Sequence, residues 1–179
     1  TVIKAFNNYF GGGMGSLVFQ TIRESKALAY STYGYYATPS KKTDKYYTLA
    51  YVGSQADKFK EAVEAMNELL NTMPELPANL ELAKQQIKQE IETERITQDG
   101  IIYYYLHDQR MGLKDDIRKQ IYQNIDNITM KDIKAFHDKY LSNKPYTYVI
   151  LASEKKLSED ELKKIGDFKK LSLKELFGY

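Results

Sequence analysis

The chain has 179 residues, of which 42% are hydrophobic and 28% charged, a composition ordinary for a soluble globular protein with one domain and a sizeable core. The net charge of +2, with no stripe of Lys and Arg between aromatic residues, argues against nucleic acid as a partner, and no apolar run approaches the ~20 residues of a membrane span. Cysteine is absent, which excludes disulfides and thiol chemistry but leaves the compartment open between cytoplasm and periplasm.

The first 37 residues predict a helix, a glycine cluster, a second helix and a strand. Residues 2–10 carry apolar side chains at helical spacing. Four glycines follow at positions 11, 12, 13 and 15, where the missing Cβ permits close approaches. Ser16 can act as an N-cap for the second helix, and residues 30–37 have the composition of a strand.

The glycine cluster invites comparison with a phosphate-binding loop. It lacks both the G-x-x-x-x-G-K-[S/T] pattern and the strand-loop-helix frame of a dinucleotide site. We therefore interpret it as a loop that packs closely against an opposing half of the protein.

Residues 46–52 predict a second strand, joined to the first by a loop of turn-forming residues over 38–44. Many of the sixteen tyrosines of the chain fall in or near these strands, and there is no tryptophan. Two interpretations stay open: a half-buried tyrosine-rich sheet face, which we favour, and a dedicated aromatic binding platform.

Apolar spacing predicts five further helices, over 54–73, 77–91, 101–110, 115–124 and 129–141. Ser54 and Asp57 have the spacing of a capping box at the start of the first, and Thr129 and Asp132 at the start of the last.

Three further expectations concern the ends and faces of these helices. Asp99 is expected to cap the third helix and Gly112 to end it. The polar face of the second helix, which includes Lys84, is interpreted as solvated.

The C-terminal part predicts a strand, a short helix and a tail that returns to the body. Residues 146–152 form a nearly continuous apolar run, which favours a strand that is central or buried on both faces. A short helix is expected over 158–165, and the tail 167–179 carries aromatic and leucine residues as anchors. The predicted fold class is α+β: one antiparallel-rich sheet with helices packed on one side.

Arg23 and Tyr30 lie seven residues apart across the predicted helix-to-strand corner. Such a corner can aim a guanidinium and a phenol at one point, and both groups can donate hydrogen bonds to a carbonyl oxygen or an oxyanion. Taken singly, Arg23 is also typical of a surface arginine near a helix C-terminus, and Tyr30 of a strand aromatic. Glu24 is expected to pair with a neighbouring cation rather than act as an acid or base.

The two histidines do not predict a metal site. His107 and His137 lie thirty residues apart, and neither has a glutamate and a second histidine at helical spacing. We interpret both as ordinary half-exposed histidines and expect this chain to bind no metal.

The segment FGGGMGSLVFQTIRESKALAYS, residues 10–31, resembles the C-terminal half of insulinase/pitrilysin-type zinc metallopeptidases, the inverzincins, which are related to the mitochondrial processing peptidases. Their R-E-x-x-G-L-A-Y corner matches in register at five positions: Arg23, Glu24, Leu28, Ala29 and Tyr30. The departure is Ala27, where the family usually has glycine, and it restricts the corner without changing the Arg–Tyr spacing.

The resemblance implies a duplicated-domain peptidase in which an N-terminal half carries zinc on an H-x-x-E-H helix. Residues 1–179 would then be a single C-terminal domain of a longer protein, lacking the first strand of its sheet. Arg23 and Tyr30 would contact the peptide substrate, and the chain alone would be inactive. A fragment with an unpaired sheet edge is also expected to self-associate.

Two other functions are compatible with the fold. One is a non-catalytic scaffold or interaction subunit, although relatives of that kind are expected to lose the Arg–Tyr pair. The other is a self-standing peptide-binding module, which the missing first strand disfavours. Neither the substrate nor the linkage of the two halves in one polypeptide follows from the sequence.

Overall fold

Helices make up most of the chain, and one antiparallel hairpin forms its sheet. The computed structural model describes residues 1–178. Its elements in chain order are α1 (Val2–Phe10), β1 (Ser31–Ala37), β2 (Tyr47–Gly53), α2 (Phe59–Asn71), α3 (Pro77–Thr93), α4 (Gln98–Met111), α5 (Ile117–Asn124), α6 (Met130–Tyr140), α7 (Glu159–Lys163) and α8 (Leu173–Phe177). A π-helix (Phe19–Ser25) precedes β1, and 3-10 turns occupy Ala56–Lys58 and Ile125–Asn127. The predicted α+β class is confirmed, with a two-stranded sheet among the described residues.

Helix α1 supplies the centre of the core because its apolar side chains share one face. Ala5, Phe6, Tyr9 and Phe10 are buried, and the ring of Phe6 lies 4.9 Å from that of Phe136 in α6. The Tyr9 hydroxyl donates to the carbonyl of Pro74 at 2.7 Å and accepts from an amide at 2.9 Å. Burial raises the pKa of Tyr9, so this phenol stays a neutral donor.

The hairpin is fastened to α1 by one side chain and one close backbone approach. The amide of Asn7 donates to the carbonyl of Tyr36 at 3.0 Å, and its oxygen accepts from the Tyr36 amide at 2.8 Å. A Cβ on Gly11 would lie 2.2 Å from the carbonyl oxygen of Gly34 in β1. Gly11 therefore packs on a strand of its own domain, whereas Gly13 is exposed, with open space around its Cβ position.

The two predicted strands pair as expected, each within one residue of its predicted bounds. Tyr33 lies opposite Tyr51, and Gly34 opposite Ala50. On the inner face, Tyr36 packs edge-on against Phe136 at 5.1 Å. The outer face carries the tyrosines described below.

The helix caps follow the prediction in part. The Thr129–Asp132 capping box of α6 is confirmed. The Ser54–Asp57 box is wrong, because the chain enters α2 through a 3-10 turn that has no side-chain cap. Helix α4 is capped by Thr97 rather than by the expected Asp99, and it ends as predicted at a left-handed Gly112.

Lys84 is buried, contrary to its prediction as a solvated residue. Its side chain is 8% exposed, and its ammonium contacts the carboxylate of Glu81 at 2.7 Å and the carbonyl of Asp126 at 3.3 Å. The spacing of apolar residues did not predict this burial, because Lys84 lies beside the apolar stripe of the helix. At such a position the methylene groups of a lysine can pack against the core while its ammonium group contacts polar partners.

The predicted strand over residues 146–152 is also wrong. No backbone–backbone hydrogen bond joins residues 145–152 to any other described residue. Val149 is 93% exposed and Leu151 fully exposed. An apolar run becomes a strand only where a neighbouring strand accepts its hydrogen bonds, and within residues 1–178 none does.

The expected anchoring of the tail is wrong for its leucines. Leu171, Leu173 and Leu176 are all exposed. A short helix, α8, forms there behind a Ser172 capping box, and Tyr179 lies outside the described residues. None of the helices within residues 1–178 combines the length and apolar character needed to cross a membrane.

Candidate functional site

The segment that leads to Arg23 is fixed at its start by Ser16. The buried Ser16 hydroxyl donates to the carbonyl of Gly13 at 2.6 Å and accepts from the amide of Phe19 at 3.5 Å. The Ser16 carbonyl accepts the first helical hydrogen bond, from Gln20, at 3.0 Å. The expected start of the second helix at Ser16 is therefore present.

The helix that carries Arg23 is a π-helix, which the sequence pattern did not predict. The amide of Lys26 reaches back five residues to the carbonyl of Thr21 at 3.0 Å. Buried Val18 and Ile22 hold this helix against the core. Single π-helical turns are rare and often occur at functional sites.

A left-handed residue, Ala27, turns the chain from the π-helix into β1. Its φ is 48°, and its carbonyl accepts from the ammonium of Lys58 at 2.8 Å. The next amide, of Leu28, bonds to the carbonyl of Ile22 at 2.9 Å, and the amide of Tyr30 bonds to Gly53 at 3.1 Å. These bonds fix both arms of the corner.

The corner brings Arg23 and Tyr30 into contact. The guanidinium carbon of Arg23 lies 5.4 Å from the centroid of the Tyr30 ring and 4.7 Å from that of the Phe19 ring. The Arg23 Nε lies 3.5 Å from a carboxylate oxygen of Glu24, the expected pairing for that glutamate. Tyr30 is 85% exposed, so its phenol is open to solvent.

The donor groups of this pair are available to a ligand. A guanidinium has five N–H donors and a phenol has one. Among the described residues, the guanidinium has one carboxylate neighbour, Glu24, and the Tyr30 hydroxyl has no hydrogen-bond partner. An open groove of about 290 Å³ adjoins Tyr30, between residues 27–30 and residues 53–58. The corner can therefore present N–H and O–H donors to the oxygen atoms of a chain lying beside it.

The two histidines occupy different environments, and neither resembles a metal ligand. His107 is exposed, with its Nδ1 3.4 Å from a carboxylate oxygen of Asp108. The expectation that His137 is half-exposed is wrong: it is 1% exposed, and its Nε2 lies 3.1 Å from the carbonyl of Leu69. Within residues 1–178 no group of three or more His, Cys, Asp or Glu could hold a metal ion. The residues present do not fit a zinc site.

The outer face of the hairpin carries a stacked row of tyrosines. The Tyr33 ring lies 5.1 Å from that of Tyr51 and 6.1 Å from that of Tyr35. Tyr33 and Tyr51 are both exposed. The favoured interpretation of a tyrosine-rich sheet face fits this arrangement, and a binding role for the row stays open.

Sequence reasoning missed three features of the site. These are the ring contact of Phe19, the left-handed backbone of Ala27 and the Lys58 hydrogen bond that supports it. A signal existed for the first, because Phe19 and Arg23 stand four residues apart on a predicted helix and so on one face. A signal for the left-handed backbone also existed, because the family usually has glycine at position 27.

The fold and the site together define an α+β domain whose polar corner presents Arg and Tyr donors and which has no metal-ligand cluster among its described residues. The family model "Peptidase M16 inactive domain" matches residues 2–89, which include the whole corner. The uncharacterized zinc protease YmxG of Bacillus subtilis (strain 168) is 36% identical over 85 residues, or 46% of this chain and 20% of that protein.

A solved structure agrees at the level of the fold. The crystal structure of a peptidase M16 inactive domain from Pseudomonas fluorescens superposes with a TM-score of 0.62 at 17% identity, over 79% of this chain and 34% of that one. The chain thus spans about a fifth of the zinc protease and a third of the solved chain. The resemblance to the C-terminal half of the insulinase-type peptidases that was drawn from the corner is confirmed, over residues 2–89 by the family model and at the level of the fold by the solved structure.

Proposed function

We propose that this chain is the non-zinc half of a zinc metalloendopeptidase that cleaves peptides. The observation that carries the proposal is the contact between Arg23 and Tyr30 at an exposed corner of an inactive-type M16 domain. It is supported by the similarity to a protein named as a zinc protease.

The proposed division of labour places zinc in an N-terminal partner half, on the same polypeptide or on a separate subunit. This chain binds none, because the environments of His107 and His137 offer no ligand set. It contributes one wall of a chamber that closes over an extended peptide. Alone, the chain is inactive.

Within that chamber, Arg23 and Tyr30 bind the peptide through its carbonyl oxygens. A carbonyl oxygen under attack gains negative charge, and donors already aimed at it stabilise that charge more than they stabilise the ground state. The Tyr30 hydroxyl and the Arg23 guanidinium provide such donors. The zinc of the partner half supplies the activated nucleophile.

The test uses Tyr30→Phe and Arg23→Ala in the peptidase assembled with its zinc-carrying half. Tyr30→Phe removes one donor and keeps the ring, so kcat is expected to fall ~10²–10³-fold, or about 2.7–4 kcal/mol. Arg23→Ala is expected to lower kcat/KM, in part through a higher KM, because a carbonyl held in the ground state is bound uniformly.

Melting temperature and zinc content are measured on the same variants. Both should barely change, since Tyr30 is exposed and neither residue is a metal ligand. Tyr105→Phe, which alters an exposed tyrosine of α4, is the matched control and should leave kcat unchanged. A deleted donor should lower kcat ~10²–10³-fold. If Tyr30→Phe keeps more than about half of the parent kcat, the assignment is wrong.

A further inference from the structure

The side chain of Arg23 is held mainly by aromatic rings. Its guanidinium carbon lies over the rings of Phe19, at 4.7 Å, and Tyr30, at 5.4 Å. Its polar neighbour is Glu24, adjacent in the chain, half-exposed and 3.5 Å from Nε. An exposed ion pair of that kind orients a long side chain weakly, whereas a guanidinium over an aromatic face gains cation–π and stacking energy.

Phe19 is placed to provide this hold by the π-helix itself. It is the first residue of that helix, half-buried, between the buried Val18 and the core-facing Ile22. Its ring is therefore partly covered by the domain. The Tyr30 ring, in contrast, is 85% exposed and can move.

Stacking has a particular consequence for a planar cation. A guanidinium that stacks on a ring presents its flat face to that ring, whereas its N–H donors lie in the plane and point outward from its edge. Stacking of this kind covers the face and leaves the edge free to donate to oxygen.

We propose that Phe19 is a positioning residue: its ring holds the Arg23 guanidinium beside Tyr30 with the N–H edge turned toward the peptide. The kinetic part of this inference rests on the proposed function. The stacking part does not, because it concerns the isolated chain.

The first experiment measures the stacking directly, by NMR on the 179-residue chain. Protons of the Arg23 side chain that lie over an aromatic face shift upfield. We expect that shift in the parent, its retention in Phe19→Tyr and its loss in Phe19→Leu. Phe168→Leu removes a half-buried phenylalanine that stacks on no cation among the described residues, and it should leave the shift unchanged.

The second experiment measures peptide cleavage by the assembled enzyme. Phe19→Leu should lower kcat about three- to tenfold, in keeping with the loss of one cation–π contact, and Phe19→Tyr should restore the parent rate. In an Arg23→Ala background the same Phe19→Leu change should have almost no effect, because the group it positions is gone. A merely structural role for Phe19 would slow both backgrounds equally.

The outcomes separate this inference from the function on which it rests. If Phe19→Leu abolishes the upfield shift yet leaves kcat unchanged while Arg23→Ala is impaired, Phe19 does not position Arg23 and the proposed function stands. An absent shift in the parent overturns the inference whatever the rates. If Arg23→Ala is itself silent, both the proposed function and this inference fail.

Discussion

Ala27 has an unfavourable backbone conformation at the turn between Arg23 and Tyr30. Its φ of 48° lies in the left-handed region, where a Cβ crowds the following carbonyl at a cost of roughly 1–2 kcal/mol. The corner keeps this geometry because the Lys58 ammonium, the Leu28 amide and the Tyr30 amide all bond in it. The strain thus lies in the residue that sets the separation of Arg23 and Tyr30.

Ala27→Gly should stabilise the chain. Glycine removes the Cβ conflict of the left-handed backbone, which stabilises the folded chain. It also gives the unfolded chain more conformational freedom, which lowers stability by about 0.4–1 kcal/mol. We therefore expect a net gain of about 0.5–1 kcal/mol in the free energy of unfolding. Urea unfolding measures it. The matched control is Ala135→Gly, at an exposed position in α6, which should lose about 1 kcal/mol. A loss for Ala27→Gly equal to that of the control would show that the left-handed backbone carries no strain.

At the scale of the elements, two close contacts join α1 to β1. The Asn7 side chain bonds both backbone groups of Tyr36, and Gly11 touches the backbone of Gly34. Since β1 continues directly from the corner, this junction also fixes the strand that follows Tyr30.

Gly11→Ala should destabilise the domain because the new methyl group meets backbone atoms, which cannot rotate away. Overpacking of this kind typically costs about 1–3 kcal/mol, and a distance of 2.2 Å favours the upper part of that range. Gly13→Ala, with open space at the Cβ position, is the matched control and should be close to neutral. Thermal unfolding of both variants checks this, and equal melting temperatures would contradict the close approach.

Residues 146–152 form an uncharged, mostly apolar run that is exposed except for half-buried Tyr146. A chain that displays such a run should associate at high concentration. Val149→Lys combined with Leu151→Glu keeps the net charge and should shift the chain toward monomer in light scattering, without loss of stability. Leu82→Lys with Leu173→Glu alters two exposed leucines elsewhere and should not. A parent chain that stays strictly monomeric at high concentration would contradict this prediction.

The sequence predicted local structure well and packing less well. Helical spacing located the helices, and strand composition located the hairpin, because both depend on neighbours in the chain. Lys84, His137 and residues 146–152 were misjudged because their burial depends on distant elements. The π-helical hydrogen bonds, five residues apart, have no recognised sequence pattern. The proximity of Arg23 and Tyr30 was predictable, since it needs only a helix, a corner and a strand.

At the scale of the whole molecule, the proposed function places the donor groups and the metal in different halves. The described part of this chain offers Arg23 and Tyr30 without a metal-ligand cluster, and it covers 20% of the length of a similar zinc protease. In the proposed function, activity arises only where this corner faces a zinc-carrying half.

The chain alone should therefore neither hold zinc nor cleave peptides. After dialysis against a chelator, metal analysis should find far less than one zinc per chain, because two separated histidines cannot assemble a tetrahedral site. Addition of the N-terminal half should produce peptide cleavage, and a chain carrying both Arg23→Ala and Tyr30→Phe should bind that half equally well but restore little activity. One zinc per isolated chain would contradict the division of labour. A parent complex that forms but cleaves no peptide would instead favour a scaffold subunit that kept the peptidase fold.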